Sequence, residues 1–168
     1  MIKKTIISSL AVAGLMTQAC NSSKTEQDAR KPLSLVVVEP GHFHAALVQK
    51  TMYDDVDSTV HVYATEGPEV NSYLDKIEKF NARPENPTHW NEKVYKGADF
   101  FEKMLAEKAG NIVVLAGNNQ KKTDYIKRSV DAGLNVLADK PMAIDSDGFN
   151  LLKEAFASAE KNKVLLYD

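Results

Sequence analysis

From Leu33 to the end of the chain, apolar runs rich in β-branched residues alternate with segments of helical spacing. Strands that alternate with helices pair in parallel through right-handed crossovers, and parallel strands covered on both faces are almost continuously apolar. The alternation therefore predicts an α/β fold: a doubly wound parallel sheet in a three-layer αβα arrangement, with ligands at the carboxyl ends of the strands. The predicted strands span residues 33–38, 59–64, 93–95, 111–116, 135–138 and 163–167.

The segments between these strands show the spacing of amphipathic helices. Phe43, Leu47 and Thr51 recur every four residues with Ala46 beside them, which predicts a helix over residues 42–53 with this face on the sheet. Further helices are predicted over 68–81, over 98–108 and before Gly133, which supplies a helix stop. The last helix is predicted to turn a stripe toward the core, made of Phe149, Leu152, Phe156 and Ala159.

The amino terminus has the pattern of a secretory signal. Lys3 and Lys4 precede a mostly apolar run over residues 5–16, which is too short to span a bilayer. The run leads to Ala19 and Cys20, which resemble the lipobox of a bacterial lipoprotein, and in such signals processing leaves the cysteine as a lipid-bearing amino terminus. The resemblance implies that Cys20 is lipidated.

Three parts of the chain follow from this pattern: a signal over residues 1–20, a polar tether over 21–32 and a folded domain over 33–168. We expect the protein to lie in the bacterial cell envelope, anchored to a membrane through its lipid, on the periplasmic or surface side. Two alternatives remain open. The segment could be a cleaved secretory peptide with an incidental cysteine, or a buried amino-terminal helix.

Charge and cysteine content exclude several classes of protein. The chain has 21 Lys and Arg against 23 Asp and Glu, a net charge of −2, so the basic excess that nucleic-acid phosphates require is missing. We therefore expect no nucleic-acid partner. One cysteine can form neither an internal disulfide nor a cysteine-rich zinc site.

The turn after the first strand stands where dinucleotide-binding proteins carry G-x-G-x-x-G. Residues 39–44 read Glu-Pro-Gly-His-Phe-His, so only the middle glycine, Gly41, is kept, together with His42, Phe43 and His44 as candidate cofactor contacts. Backbone N–H groups at a helix start favour a diphosphate, and the histidines could donate to a phosphate or to a substrate. The alternative is a tight turn without a ligand.

A metal site at the two histidines is not expected, because no cluster of Cys, Asp or Glu adjoins them in the sequence. After the second strand, Glu66 stands where an acid would accept the hydroxyls of the adenosine ribose and repel a 2′-phosphate. This position favours NAD over NADP. A solvated glutamate in a turn is the equal alternative.

The segment Asp139-Lys140-Pro141-Met142-Ala143 resembles the E-K-P-x-A motif of the Gfo/Idh/MocA oxidoreductases, and the resemblance extends from residue 33 to 168. It implies a Rossmann-type NAD(P)-binding domain in which Lys140 lies near the nicotinamide and the reacting carbon, with Asp139 and Pro141 beside the cofactor. The Lys140 ammonium could polarise a hydroxyl or transfer a proton. The alternative is an ordinary exposed Lys-Pro turn.

A second family motif, T-P-N-x-x-H after the fourth strand, is matched in part. Asn119 is retained as a candidate cofactor contact, whereas Lys122 stands at the histidine position and Asp139 replaces the usual glutamate of E-K-P. Family enzymes also carry a substrate domain with an H-x-x-x-D pair, and no histidine of this chain has an aspartate four residues later. We therefore expect the 168 residues to be the cofactor part of a longer enzyme and to be inactive alone.

The resemblance implies hydride transfer between NAD(P) and a small carbohydrate or polyol, with Lys140 assisting the proton. A homo-oligomer of the full-length protein is compatible with this hypothesis. Two alternatives differ in kind. One is an NAD-dependent glycoside hydrolase of the same superfamily, and the other is a non-catalytic, lipid-anchored Rossmann-like domain that binds a carbohydrate or a protein partner.

Overall fold

The computed structural model describes residues 32–168, so the predicted signal, Cys20 and nearly all of the predicted tether lie outside the described residues. The described chain forms a six-stranded parallel sheet of order β3-β2-β1-β4-β5-β6. This is the predicted doubly wound α/β fold, which is confirmed. The strands are β1 (Leu35–Val38), β2 (Thr59–Ala64), β3 (Asn91–Lys96), β4 (Ile112–Leu115), β5 (Asn135–Ala138) and β6 (Leu166–Tyr167).

Helices cover both faces of the sheet because each central strand buries alternate residues on opposite sides. On β1, Val36 and Val38 join the core formed with α3, α4 and α5, whereas Leu35 and Val37 join the core formed with α1 and α2. Gly133 has a φ of 79° and follows α4, so the predicted helix stop is confirmed. The helices are α1 (His44–Leu47), α2 (Pro68–Ala82), α3 (Phe100–Glu107), α4 (Asn119–Asp131) and α5 (Ser146–Asn162).

The first helix is much shorter than the prediction of residues 42–53, and of the predicted face only Ala46 is buried. Ala45 and Ala46 are the buried residues of α1, whereas Phe43 and Leu47 are exposed. The helix does not continue to residue 53, because side chains of residues 83–90 donate hydrogen bonds to backbone carbonyls that a longer helix would use. The indole N–H of Trp90 donates to the Gln49 carbonyl at 2.7 Å, and Arg83 donates to the Lys50 carbonyl at 2.7 Å.

The predicted core stripe of the last helix is also wrong in part. Ala155 and Ala159 are buried against the core and Leu152 is half-buried, but Phe149 and Phe156 are exposed. Small residues at this face let α5 lie close to α4, with which it shares its main contact. Among residues 32–168, the structure has no helix of the length and apolar character needed to cross a membrane.

Candidate cofactor site

The strand order changes direction between β1 and β4, and the turns that leave these two strands lie side by side at their carboxyl ends. The backbone N–H of His42 donates to the Ala116 carbonyl at 2.9 Å, which joins the turn after β1 to the turn after β4. The Gly41 N–H donates within its own turn, to the Glu39 carbonyl at 2.7 Å. Such a switch point is where doubly wound sheets bind their ligands.

Two glycines allow the close approach of these turns. A Cβ atom on Gly117 would lie 2.1 Å from the Glu39 carbonyl oxygen, and one on Gly41 would lie 3.3 Å from the Gly117 Cα. The first distance is far inside van der Waals contact, so the turn after β4 requires a residue without a side chain. The sequence motifs did not identify this requirement, although a glycine close after a buried parallel strand was the available signal.

Two adjoining cavities open along this crevice and share Pro40, Gly41 and Glu69. The first, of about 290 Å³, lies at the carboxyl ends of β1, β2 and β4 and is bordered by Thr65 and Asn118. The second, of about 270 Å³, lies between the turn after β1 and helix α2, and its wall includes His42, Phe43, Ser72, Tyr73 and Lys76. Gly41 therefore borders both cavities.

The predicted ribose acid, Glu66, is outside both cavities. Its side chain is 68% exposed and forms an ion pair with Lys96 of β3 at 3.0 Å. Glu69, one turn further into α2, borders both cavities instead, and Thr65 borders the first. Of the two glutamates after β2, the sequence pattern selected Glu66, whereas Glu69 lines the crevice.

Glu39 turns its carboxyl group toward helix α4. Burial first, and the negative charge of Glu39 second, raise the pKa of the Tyr125 phenol above its ordinary value. Glu39, Lys122 and Tyr125 line the same small cavity, and Glu39 Oε2 is buried without a hydrogen-bond partner among the described residues. The Glu39 carboxylate therefore contacts the protein interior at helix α4.

Asp139, at the carboxyl end of β5, is the centre of a polar cluster. Its Oδ1 forms an ion pair with Lys122, whose side chain is only 2% exposed, and its carbonyl accepts from Lys122 Nζ at 3.0 Å. Its Oδ2 lies 3.2 Å from His44 Nδ1 and 3.4 Å from His42 Nδ1. The structure thus unites predicted site residues from the turn after β1 and the turn after β5.

Lys140 follows Asp139 and is exposed, with Pro141 beside it and a cis peptide bond between the two. The segment is held to helix α4 because the Thr123 hydroxyl donates to the Met142 carbonyl at 2.5 Å.

The predicted contact Asn119 is exposed at the start of α4. Its neighbour Asn118 borders the first cavity and caps the helix, because its side chain accepts a hydrogen bond from the Gln120 N–H at 2.9 Å.

The family model for an oxidoreductase family with an NAD-binding Rossmann fold, GFO_IDH_MocA, matches residues 70–167. The chain belongs to the Gfo/Idh/MocA oxidoreductase family. A crystal structure from Parabacteroides merdae, assigned as an oxidoreductase, shares 56% sequence identity with a TM-score of 0.81. The match covers 82% of this chain and 31% of that one, so the chain spans about a third of its relative.

More distant structures share the fold of this Gfo/Idh/MocA domain. GenD2 from gentamicin A biosynthesis, in complex with NAD, is 22% identical with a TM-score of 0.54, over 82% of this chain and 34% of its own. A 3-ketoreductase from Actinomadura kijaniata, in complex with NADP, is 18% identical with a TM-score of 0.56, over 81% and 38%. No curated protein matches the chain by sequence.

Two departures from the Gfo/Idh/MocA motifs turn out to be partners. In the sequence, Lys122 at the histidine position and Asp139 at the glutamate position are two separate changes. In the structure, their side chains form one buried ion pair. The shorter carboxylate is thus reached by a longer, cationic side chain. This pair links α4 to the end of β5.

Proposed function

We propose that this Gfo/Idh/MocA domain holds NAD in the crevice between β1 and β4 and serves hydride transfer to or from a carbohydrate or polyol. The observation that carries the proposal is the glycine-closed junction of the two turns, which opens two adjoining cavities at the switch point, with Lys140 at the end of the neighbouring β5. The crevice fits the group, because Gly41 borders both cavities and, without a Cβ that would crowd Gly117, allows the two turns to lie close together at the switch point.

Gly41 and Lys140 have distinct tasks in this proposal. The turn at Gly41 offers backbone for a diphosphate, and the bound nicotinamide accepts or delivers the hydride. In the reducing direction, the Lys140 ammonium donates its proton to the substrate oxygen as hydride adds to the carbon; oxidation reverses both transfers. Because Lys140 is exposed in this domain, a further domain, such as the part of the Parabacteroides merdae structure that this chain does not cover, would supply the surface that excludes water.

Hydride transfer is tested by incubating the full-length protein with NAD and a panel of sugars and polyols while NADH is followed by absorbance. We expect NADH to form with at least one substrate of this class. NAD that binds without any NADH forming from the panel would contradict the oxidoreductase proposal, and release of free sugar from glycosides without net NADH would identify the hydrolase instead.

We further propose that Glu69 contributes the preference for NAD over NADP, the role that the sequence gave to Glu66. A carboxylate bordering both cavities would repel a 2′-phosphate, whereas Glu66 is already paired with Lys96. Glu69→Gln is expected to raise NADP affinity about fivefold, roughly 1 kcal/mol, because one charge repulsion near the surface is removed.

Calorimetric titration with NAD and NADP measures this change. Glu78→Gln, an exposed acid further along α2, is the matched control and should leave both affinities unchanged. A larger gain in NADP affinity for Glu66→Gln than for Glu69→Gln would return the role to Glu66.

We also propose that residues 1–20 export the protein and that Cys20 carries a lipid anchor, as the order of charged start, apolar run and Ala-Cys supports. Cells grown with a radioactive fatty acid should label the wild-type protein, and Cys20→Ala should abolish the label. Ser22→Ala, in the adjacent polar stretch, should keep it. Label retained in the Cys20→Ala variant would contradict the lipid anchor.

A further inference from the structure

Three metal-ligating groups converge at the carboxyl edge of the sheet, although 95 residues separate His44 from Asp139. The nitrogen atoms of His42 and His44 and one oxygen of Asp139 all lie within 4.8 Å of one another. Both imidazoles turn Nδ1 toward the same atom, Asp139 Oδ2, at 3.4 and 3.2 Å. Side chains from two separate turns therefore aim their ligand atoms at a single point.

Hydrogen bonding accounts for only part of this arrangement. His44 Nδ1 is within hydrogen-bond reach of Asp139 Oδ2 with suitable geometry, but the 3.4 Å contact from His42 is not a hydrogen bond. Both histidine–carboxylate distances are close to the separation of two ligands around one ion. With metal–ligand distances of about 2.0–2.1 Å, two ligands at a tetrahedral angle lie about 3.3–3.4 Å apart.

We propose that His42, His44 and Asp139 bind one divalent transition-metal ion such as Zn²⁺, through the two Nδ1 atoms and Oδ2. Two imidazoles and one carboxylate form a donor set that suits zinc and related ions and leaves coordination positions open. The His42 and His44 side chains are 46% and 42% exposed, so an ion and an exogenous oxygen ligand can both reach the site.

Lys122 has a supporting role in this site. It holds Asp139 Oδ1 and the Asp139 carbonyl, which fixes the carboxylate with Oδ2 toward the histidines. Residues that orient a ligand in this way commonly decide how well a metal site is formed. Because Lys122 is buried and the histidines are half-exposed, the ion would approach from the crevice side.

The position of the site indicates its ligand class. Asp139 directly precedes Lys140, so the ion would lie at the same end of β5 as the lysine to which proton transfer was assigned above, and this last step rests on the proposed function. An ion at that place would bind hydroxyl or carbonyl oxygens of a polyhydroxylated substrate through its open positions. Binding of the ion itself requires neither NAD nor turnover.

The test is calorimetric titration of chelator-treated, untagged full-length protein with Zn²⁺ in the absence of NAD. A Cys20→Ala background removes the single thiol of residues 1–168, which could otherwise bind zinc. We expect one Zn²⁺ per chain. His42→Gln and His44→Gln should each weaken binding at least tenfold, since loss of a residue that merely supports a ligand already costs about 10–100-fold.

His89→Gln, which changes an exposed histidine far from the cluster in sequence, is the matched control and should leave zinc affinity unchanged. Circular dichroism confirms that each variant remains folded. Absence of zinc binding, or equal affinities in the wild-type protein and in both the His42→Gln and His44→Gln variants, would overturn the metal site. Neither result would affect the NAD proposal, because no cofactor is present in the experiment.

Discussion

Lys140→Ala is expected to lower turnover of the full-length protein by about 10²–10⁴-fold, the usual range for a side chain that transfers a proton in the transition state. Lys140 is exposed and lies at the end of β5, so its removal opens no cavity in the core. The loss should therefore appear in kcat, with the free energy of unfolding unchanged within about 0.5 kcal/mol.

The measurement is the rate of NADH formation with a substrate from the sugar and polyol panel, together with urea denaturation of the same preparations. Lys161→Ala is the matched control. Lys161 is an exposed lysine in the last turn of α5, which lies before the amino end of β6, whereas Lys140 follows the carboxyl end of β5. Full activity in the Lys140→Ala variant would contradict the proton-transfer role.

Lys122→Met is expected to lower the free energy of unfolding by about 3 kcal/mol. Removing one member of a buried ion pair costs about 3–5 kcal/mol because the other charge is left without its partner. The lower end applies here, since the Asp139 side chain keeps 16% exposure and two imidazoles remain close to its other oxygen.

Urea denaturation in the presence of a chelator measures this effect without any contribution from bound metal. Lys127→Met is the matched control on the same helix: its ion pair with Asp131 is near the surface and should contribute about 0.5 kcal/mol or less. A double-mutant cycle with Asp139→Asn isolates the coupling between the two charges. A loss for Lys122→Met no larger than that for Lys127→Met would show that the buried pair does not stabilise the fold.

The parallel sheet could be predicted from the sequence because each central strand is buried on both faces. Residues 35–38 and 112–115 are almost uninterrupted runs of Val, Leu and Ile, and no other element of this length requires that composition. The helices were less predictable. Phe149 and Phe156 obey the spacing of a core face but are exposed. The buried face is instead centred on Ala155 and Ala159, whose small side chains allow a tighter approach.

The candidate site could be predicted only where one short segment contains it. Gly41 and Lys140 were identified because local motifs mark them, although their roles stay predictions. The cluster at Asp139 was not foreseen, because its members come from the turn after β1, helix α4 and the end of β5. The requirement for Gly117 likewise depends on a backbone contact with Glu39, which the sequence does not record.

Calorimetric titration of the full-length protein with NAD tests the central claim most directly. The crevice between β1 and β4 predicts saturable binding of one NAD per chain, with NADP bound more weakly. No heat of binding at millimolar NAD, from protein shown to be folded, would contradict the assignment of this domain as a cofactor-binding site.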